Sequence, residues 1–597
     1  MLTERRRSAL PIEFVARVGL VWILVSAMLI GINWGSINAW RFPDPDDTMR
    51  LIQVRDLLAG QSWFDVTQYR VDAQNGGVAM HWSRIVDIPL VAVIAVLMPI
   101  LGTANAELAA LVMVPLLTLF LALMLATRIT WRLCGDEEAT LTALIMAASV
   151  PVLFQLGPMR IDHHGWQIVC ALVAVNGLMA RSPRAGGWMI GASLATWLSI
   201  SIEGLPLSAA IFAVLALRWL RDRTQRGWLV HGIQALAATS IAWFGLTRGI
   251  GDFATYCDAL SPLHVGMFVF GAAGLTLLNR LEPVPLAILL VGFAVIGGGA
   301  AAMLLYTAPQ CVTGGGFADL DPVVAEMWHS QVGEGMPFWR QDLTTIAQYM
   351  VMPLIAVFAA INLVSTSRDW LRNFWTDYTL ILIAAWLVSL FVARAGAVAC
   401  ILAAPPLAWQ VRRWLRAIRH MDSPLPRAGA MVAAACAILP TLPLQVLTAA
   451  MPAHAQEPEA AAAGEQLKSS NCRIEDSAGI LRALPQGEIY ALLDIAPKIL
   501  LVSDHSVPAT AHHRGNTGMA MAITTALGSS ADARMAFIER GTAYVALCPN
   551  LLEARNYAAF APDGFAADLV AGREPDWLQP IATASRTSFR LYRIKPE

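Results

Sequence analysis

Apolar blocks of about 17–25 residues recur along this chain, separated by short stretches that hold either arginines or carboxylates. A helix of that length crosses the ~30 Å hydrocarbon core of a bilayer, and within lipid only helices or closed barrels satisfy their backbone groups. The pattern therefore dictates an α-helical polytopic membrane protein before any motif is read. Charge agrees: 14% of the 597 residues are charged and 56% are hydrophobic, where a soluble domain carries roughly 25% charged residues. A formal net charge of -1 supplies no basic field for nucleic acid. No glycine-rich loop of the P-loop type occurs, which argues against an ATP-driven pump.

Orientation follows from arginine. Arg5, Arg6 and Arg7 precede an apolar run from about Phe14 to Ile32 with no clear small-x-small cleavage site behind it, so an uncleaved first span with a cytoplasmic N-terminus is expected. The stretch 88–101 has only ~10–14 apolar residues, interrupted by Pro89 and Pro99, and reads as an interfacial or re-entrant helix. With it excluded, Arg128 and Arg132, Arg181 and Arg184, Arg218 to Arg226, Arg280, Arg368 and Arg372, and Arg412 to Arg419 all fall on the cytoplasmic side. Counting it as a span would turn them outward. The expectation is about thirteen transmembrane helices, among them 106–127, 139–157, 229–247, 284–306, 376–392 and 428–447, in a domain of residues 1–451 set in a bacterial inner membrane.

Residues 34–105 and 307–346 become outer loops, 452–466 a linker, and 467–597 a small periplasmic α/β domain. Its apolar runs 499–502 and 543–547 read as strands, and 518–527 and 531–540 as helices. Ala453-His-Ala455 has the look of a processing site, although an alanine-rich linker explains it better. Cys257, Cys311, Cys472 and Cys548 fall outside, where thiols oxidise. Cys472–Cys548 is one pairing open to them, since sequence does not fix connectivity.

Five polar features then share the outer face: Asp44-Pro-Asp46-Asp47-Thr-Met-Arg50; Asp162-His163-His164; Glu203; the long loop with Glu334; and Arg394. Clustered carboxylates with imidazole suit a divalent ion, Mg2+ or Mn2+, and a carboxylate can serve as general base towards an acceptor. Glu203 and Arg394 sit at or near span ends, where a charge is costly enough to need a reason. Each feature alone has a plain reading, as a solvated loop or a snorkelling side chain. Their convergence on one face favours a site.

With these motifs in hand, the chain resembles the C-type glycosyltransferases, membrane enzymes that use lipid-phosphate-linked sugars, and within them the oligosaccharyltransferase catalytic subunit. The family's first-loop pattern, an Asp followed six residues later by an Arg, is matched by Asp44 and Arg50. Its D-N-E-G motif is matched by Asp162-His163-His164-Gly165, which puts a histidine where the family has a metal-binding glutamate. Val332-Gly-Glu334-Gly-Met-Pro337 is similar to V-S-E-H-Q-P, and Arg394 matches the arginine that contacts the donor pyrophosphate. The W-W-D-Y-G signature that reads an Asn-x-Ser/Thr acceptor has no copy; Leu492-Leu-Asp494-Ile-Ala keeps only its aspartate.

The resemblance implies glycosyl transfer from a polyprenyl-(pyro)phosphate donor to a glycan, lipid or protein acceptor. It implies catalysis by Asp44 and Glu334 with Asp46 and Asp47 in reserve, a metal held by Asp44, Asp162 and His164, and donor phosphate on Arg394. Substrate contacts are expected from Arg50, His163, Glu203 and Asp494. The rival is a transporter or flippase of lipid-linked sugars, which would want its charges at mid-membrane rather than at the rim. His512-His513-Arg514-Gly-Asn516 is expected to be a turn, with a substrate contact as the alternative.

Overall fold

The computed structural model describes residues 10–313, 315–450 and 471–596. Arg5, Arg6, Arg7 and the linker with Ala453-His-Ala455 lie outside the described residues. Among those described, eight helices are long and apolar enough to cross a membrane, or nine if a bent pair counts as one span. Thr103–Leu133 and Gly227–Thr247 cover the expected segments at 106–127 and 229–247, and Leu286–Thr307 and Asp369–Phe391 cover all but the ends of those at 284–306 and 376–392. The bent pair is Asp136–Ala148 and Val150–Leu156, turned through 75°. Pro151 stands at the start of the second piece, where its missing N–H breaks the helical ladder. His164–Gly177, Pro183–Ile200, Gly396–Arg419 and Pro424–Ile438 are further helices outside the eight. Asp87–Leu101 is a separate apolar helix of 15 residues, closed by Gly102 at φ 75°.

The residues after 471 form a small domain around a four-stranded sheet. Strands β3 (Glu488–Ala491), β4 (Thr542–Leu547), β5 (Leu578–Ile581) and β6 (Arg590–Ile594) are ordered β3-β4-β6-β5, with β3 and β4 parallel and the remaining pairs antiparallel. The parallel pair needs a crossover, supplied by helices Asn516–Leu527 and Ser530–Arg540. A capping box between Ser529 and Asp532 starts the second of these, and Gly541 at φ 69° ends it. The run 499–502 is not a strand: it closes helix Ala496–Val502, opened by Pro497. Four apolar residues fit either a buried strand or a helical turn, and proline at the first turn decides for the helix. Disulfides join Cys472 to Cys548 and Cys257 to Cys311.

This domain is sewn onto the first long loop. That loop carries a two-stranded ribbon, β1 (Thr67–Gln68) with β2 (Val78–Ala79). Between them, Asp72 N donates to Val507 O at 2.8 Å and Val507 N to Arg70 O at 2.9 Å. Met49, Ile52, Val71, Met80 and Trp82 of the loop are buried in one apolar cluster with Ile489, Ile499 and Val507. Arg540 donates to Asp72 and to Glu488, both at 2.7 Å.

The tightest helix crossing is built on glycine. Gly187 and Gly191 of Pro183–Ile200 face Gly232 of Gly227–Thr247, Gly186 faces Trp228 of the same helix, and a Cβ on Gly191 would lie 2.0 Å from the Gly232 carbonyl oxygen. Small residues at such spacing let membrane helices meet backbone to backbone. Gly191→Ala should therefore destabilise the protein by about 1–3 kcal/mol, the usual cost of overpacking. Gly19→Ala, where a Cβ would meet nothing within 4 Å, should be neutral or slightly stabilising. Thermal unfolding of the two variants in detergent checks the contrast.

Candidate active site

Asp44 caps the helix Pro45–Leu58, its side chain accepting from Asp46 N at 2.9 Å, with Pro45 at the first helical position. Asp-Pro is a natural helix start, and the helix N-terminus favours the three carboxylates gathered there. Asp47, with no exposed surface, faces the turn that precedes helix His164–Gly177. Its Oδ1 accepts from Ile161 N at 2.8 Å and Asp162 N at 2.9 Å, and its Oδ2 accepts from Arg160 at 3.0 Å. Arg160 also pairs with Asp44 at 3.3 Å and, at 4.0 Å, with Glu334.

Asp162 lies at the centre of the second motif. Its oxygens are 2.5 Å from His163 Nδ1, 3.3 Å from His164 Nε2 and 3.6 Å from Arg50. Arg50 is fully buried, bonded to Asp87 at 3.2 Å and placed 4.5 Å over the Trp82 ring. Glu203 and Arg394 each occupy a single 3-10 turn joining two long helices, Ile202–Gly204 and Ala393–Ala395. Arg394 donates to Glu334 at 3.2 Å and to Glu203. Eleven residues expected from sequence were at issue. Nine of them fall into two ion-paired groups, Asp44, Asp47, Glu203, Glu334 and Arg394 around Arg160, and Arg50, Asp162, His163 and His164, joined where Asp162 N donates to Asp47. Asp46 is the tenth, its N donating to Asp44 and its carboxylate 3.1 Å from His512. Asp494, the eleventh, lies close enough to Asp44 for its titration to feel that charge.

Sequence reasoning missed Arg160, the guanidinium shared by Asp44, Asp47 and Glu334, although it immediately precedes the Asp162 motif. It also missed Glu553, which no local motif announces. Glu553 accepts from Leu493 N and Asp494 N, both at 2.9 Å, and from the Tyr557 hydroxyl at 3.1 Å. The turn His513–Gly515 is present as expected, and its side chains are engaged. His512 meets Asp46 and packs edge-on to Trp82; His513 and Arg514 both hold Asp258, at 2.8 and 2.7 Å.

Burial and crowding shape the acidities. Burial, then the charges of Asp44, Asp162 and Glu334, pushes Asp46 well above the usual carboxylate range. Burial raises Asp44 too, against the pull of Arg160, and lifts Asp47 to about 7. Burial acts the same way on Asp162, but His163, His164 and Arg160 outweigh it and hold that carboxylate far down. Asp162 is thus the anion of the site, and its Oδ2 is buried without a hydrogen-bond partner.

One group able to hold a cation is Asp162, His163 and His164, whose ligand atoms lie within 4.8 Å of one another; His81, Asp258 and His513 form another. In the second, Arg514 already forks onto both oxygens of Asp258 at 2.7 Å. In the first, an orphaned carboxylate oxygen beside imidazole nitrogens fits a borderline divalent ion.

The helical bundle, with an acidic, arginine-laced cluster at one end and a small α/β domain closed over it, shares its fold with two enzymes of known structure. Archaeal oligosaccharyltransferase AglB from Archaeoglobus fulgidus, in complex with an inhibitory peptide and a dolichol-phosphate, is similar with TM-score 0.62 and 16% identity over 95% of this chain and 72% of that one. The same archaeal enzyme in complex with Zn and sulfate gives TM-score 0.55 at 14% identity over 96% and 73%. ArnT from Cupriavidus metallidurans bound to undecaprenyl phosphate gives TM-score 0.50 at 13% identity over 98% and 99%. At these identities the likeness is one of fold. Neither family models nor curated sequences match the chain.

The acidic pair Asp494 and Glu553 carries a pH test. Burial and the Asp44 charge lift Asp494 to about 6; burial and the Asp494 charge lift Glu553 to about 8. Raised acids favour the folded state while protonated, and that stability is lost as pH climbs through 6 and then 8. Asp494→Asn should gain roughly 1–2 kcal/mol over the native chain at pH 8, seen as about 2–4 °C in Tm, and almost nothing near pH 4. Parallel melts at the two pH values measure the difference.

Proposed function

We propose that this protein is a glycosyltransferase of the bacterial inner membrane, moving a sugar or glycan from a polyprenyl-(pyro)phosphate carrier to an acceptor on the periplasmic face. The observation that carries it is convergence. Asp44 to Asp47, Asp162 to His164, Glu203, Glu334 and Arg394 come from five separate stretches and meet in one network, on a fold used for this chemistry. The arginine-rich loops support about thirteen crossings with the N-terminus inside and the terminal domain outside. Disulfides confined to the loops and domain assigned outside agree with that orientation.

In this reading the acceptor hydroxyl approaches the acidic rim of the helix Pro45–Leu58. Asp44, whose proton affinity burial has raised, takes the hydroxyl proton as the acceptor oxygen bonds to the anomeric carbon. The bond from that carbon to the carrier phosphate oxygen breaks, and the phosphate leaves with the electron pair. Arg394 holds the departing phosphate by charge-assisted hydrogen bonds. Asp47 and Arg160 keep the two outer turns in register while this happens. Asp44, Asp162 and His164 would hold a divalent ion, Mg2+ or Mn2+, which when bound supplies charge neutralisation for the leaving phosphate. With imidazole in the donor set, Mn2+ suits these residues better than Mg2+.

A glycan or lipid acceptor is favoured over protein. Leu492, Leu493 and Ile495 stand where the W-W-D-Y-G signature has its aromatics, and the chain is nearly coextensive with ArnT. Comparison of glycolipids and glycans from a deletion strain by mass spectrometry identifies the acceptor. On purified protein with an undecaprenyl-phosphate-linked sugar, Asp44→Asn and Asp162→Asn should each lower release of undecaprenyl phosphate by about 10²–10³-fold, as loss of a transition-state contact does. Chelation should lower it as well. Near-native turnover in both variants sinks the reading.

A further inference from the structure

Glu334 does something unusual for a loop residue: its two carboxylate oxygens face two different guanidinium groups. Oε1 accepts from Arg394 Nη1 at 3.2 Å, and Oε2 lies 4.0 Å from Arg160 Nη2. Arg394 comes from the turn between two long helices, Arg160 from the turn before Asp162; only this carboxylate bridges them among the described residues. A carboxylate held this way marks a seat for a two-oxygen anion, since two oxygens of a phosphate are spaced much like those of a carboxylate.

The two walls of the seat are fixed. Arg160 is 1% exposed, with Nε donating to Gln155 at 3.1 Å and Nη1 to Asp47 at 3.0 Å. Its Nη2 makes no hydrogen bond among the described residues and lies 4.0 Å from the Glu334 carboxylate. Arg394 keeps a second anchor in Glu203. The occupant, by contrast, is loosely held. Glu334 is 32% exposed on a three-residue turn, Gly333–Gly335, and the bond from Arg394 is the one hydrogen bond its carboxylate accepts among the described residues. Its flanking glycines are open, with nothing within 4 Å of a Cβ at Gly333 and only Val332 near one at Gly335. The loop itself stays fastened one step further on, where Ala393 N donates to Met336 O at 3.2 Å.

We infer that Arg160 is the second arm of a two-arginine clamp for the carrier phosphate, and that Glu334 occupies that clamp as an internal stand-in which the phosphate displaces. The inference deepens the glycosyltransferase reading and rests on it. Phosphate brings more charge than a carboxylate and matches the guanidinium fork on both sides. Displacement swings Glu334 away on its glycine-flanked turn while Met336 holds the rest of the loop beside Arg394. Glu334 is then free for the acceptor only once donor is aboard, which orders the two substrates.

The test is binding of undecaprenyl phosphate to the purified full-length protein, with undecaprenol as the uncharged control. Glu334→Gln leaves every contact of Arg160 to Asp44, Asp47 and Gln155 in place, and should tighten undecaprenyl phosphate binding about tenfold while leaving undecaprenol unchanged. Arg160→Lys keeps the charge but loses the fork, and should weaken phosphate binding about tenfold and raise KM for the donor more than it lowers kcat. Equal or weaker binding by Glu334→Gln, or equal tightening towards undecaprenol, overturns the clamp while the transferase reading stands. Failure of the native protein to bind the phosphate above undecaprenol removes the transferase reading and the clamp with it.

Discussion

Asp47 commits both carboxylate oxygens to the turn before Asp162, and the geometry of the site hangs on that attachment. Two backbone amides and one guanidinium converge on a side chain with no exposed surface. Burying such a charge costs several kcal/mol unless its lone pairs are satisfied. Here three donors satisfy it, and the same donors fix where Arg160 and Asp162 stand. Asp44 and Asp46, on the same helical turn, are thereby carried to Arg160 and His512. One buried carboxylate therefore sets the relation between the Asp44 loop and the Asp162 turn, and every candidate residue on either inherits it.

The terminal domain completes the arrangement from above. It is neither a tethered appendage nor an independent cap, because the first loop contributes Met49, Ile52, Val71, Met80 and Trp82 to its apolar core. Trp82 serves both sides of that joint: Arg50 lies over its ring and His512 packs against it edge-on. Pulling the domain away would expose that core and strip Asp46 of His512. The acidic cluster and its roof consequently form one packed unit.

Much of this was legible in the sequence, for a physical reason. Charge at a bilayer rim is costly, so Asp44, Asp162, Glu203, Glu334 and Arg394 stood out against an apolar background, and all five meet in the structure. Arg160 was overlooked because its partners Asp44, Asp47 and Glu334 are each more than a hundred positions away. Glu553 was invisible: its role depends on two backbone amides about sixty positions away, which no local pattern encodes. The run 499–502 was misread because four apolar residues have no period to measure, and only Pro497 tips them towards a helix. Contacts between distant segments are the part of a site that composition and spacing cannot carry.

Charge balance draws these strands together. Asp44, Asp46, Asp47, Asp162, Glu203 and Glu334 share three arginines, Arg50, Arg160 and Arg394, and two of those have structural duties to Asp87 and Asp47. The carboxylates outnumber the guanidiniums two to one, and burial first, then mutual repulsion, pushes Asp44, Asp46 and Asp47 upward. A divalent ion held among those oxygens would replace their protons, so its binding would release them. An anionic carrier phosphate would worsen the imbalance if it simply added to the cluster. Exchange for the Glu334 carboxylate limits the added charge, and a site this acidic can then accept a phosphate only by giving up an anion of its own or by taking on a cation.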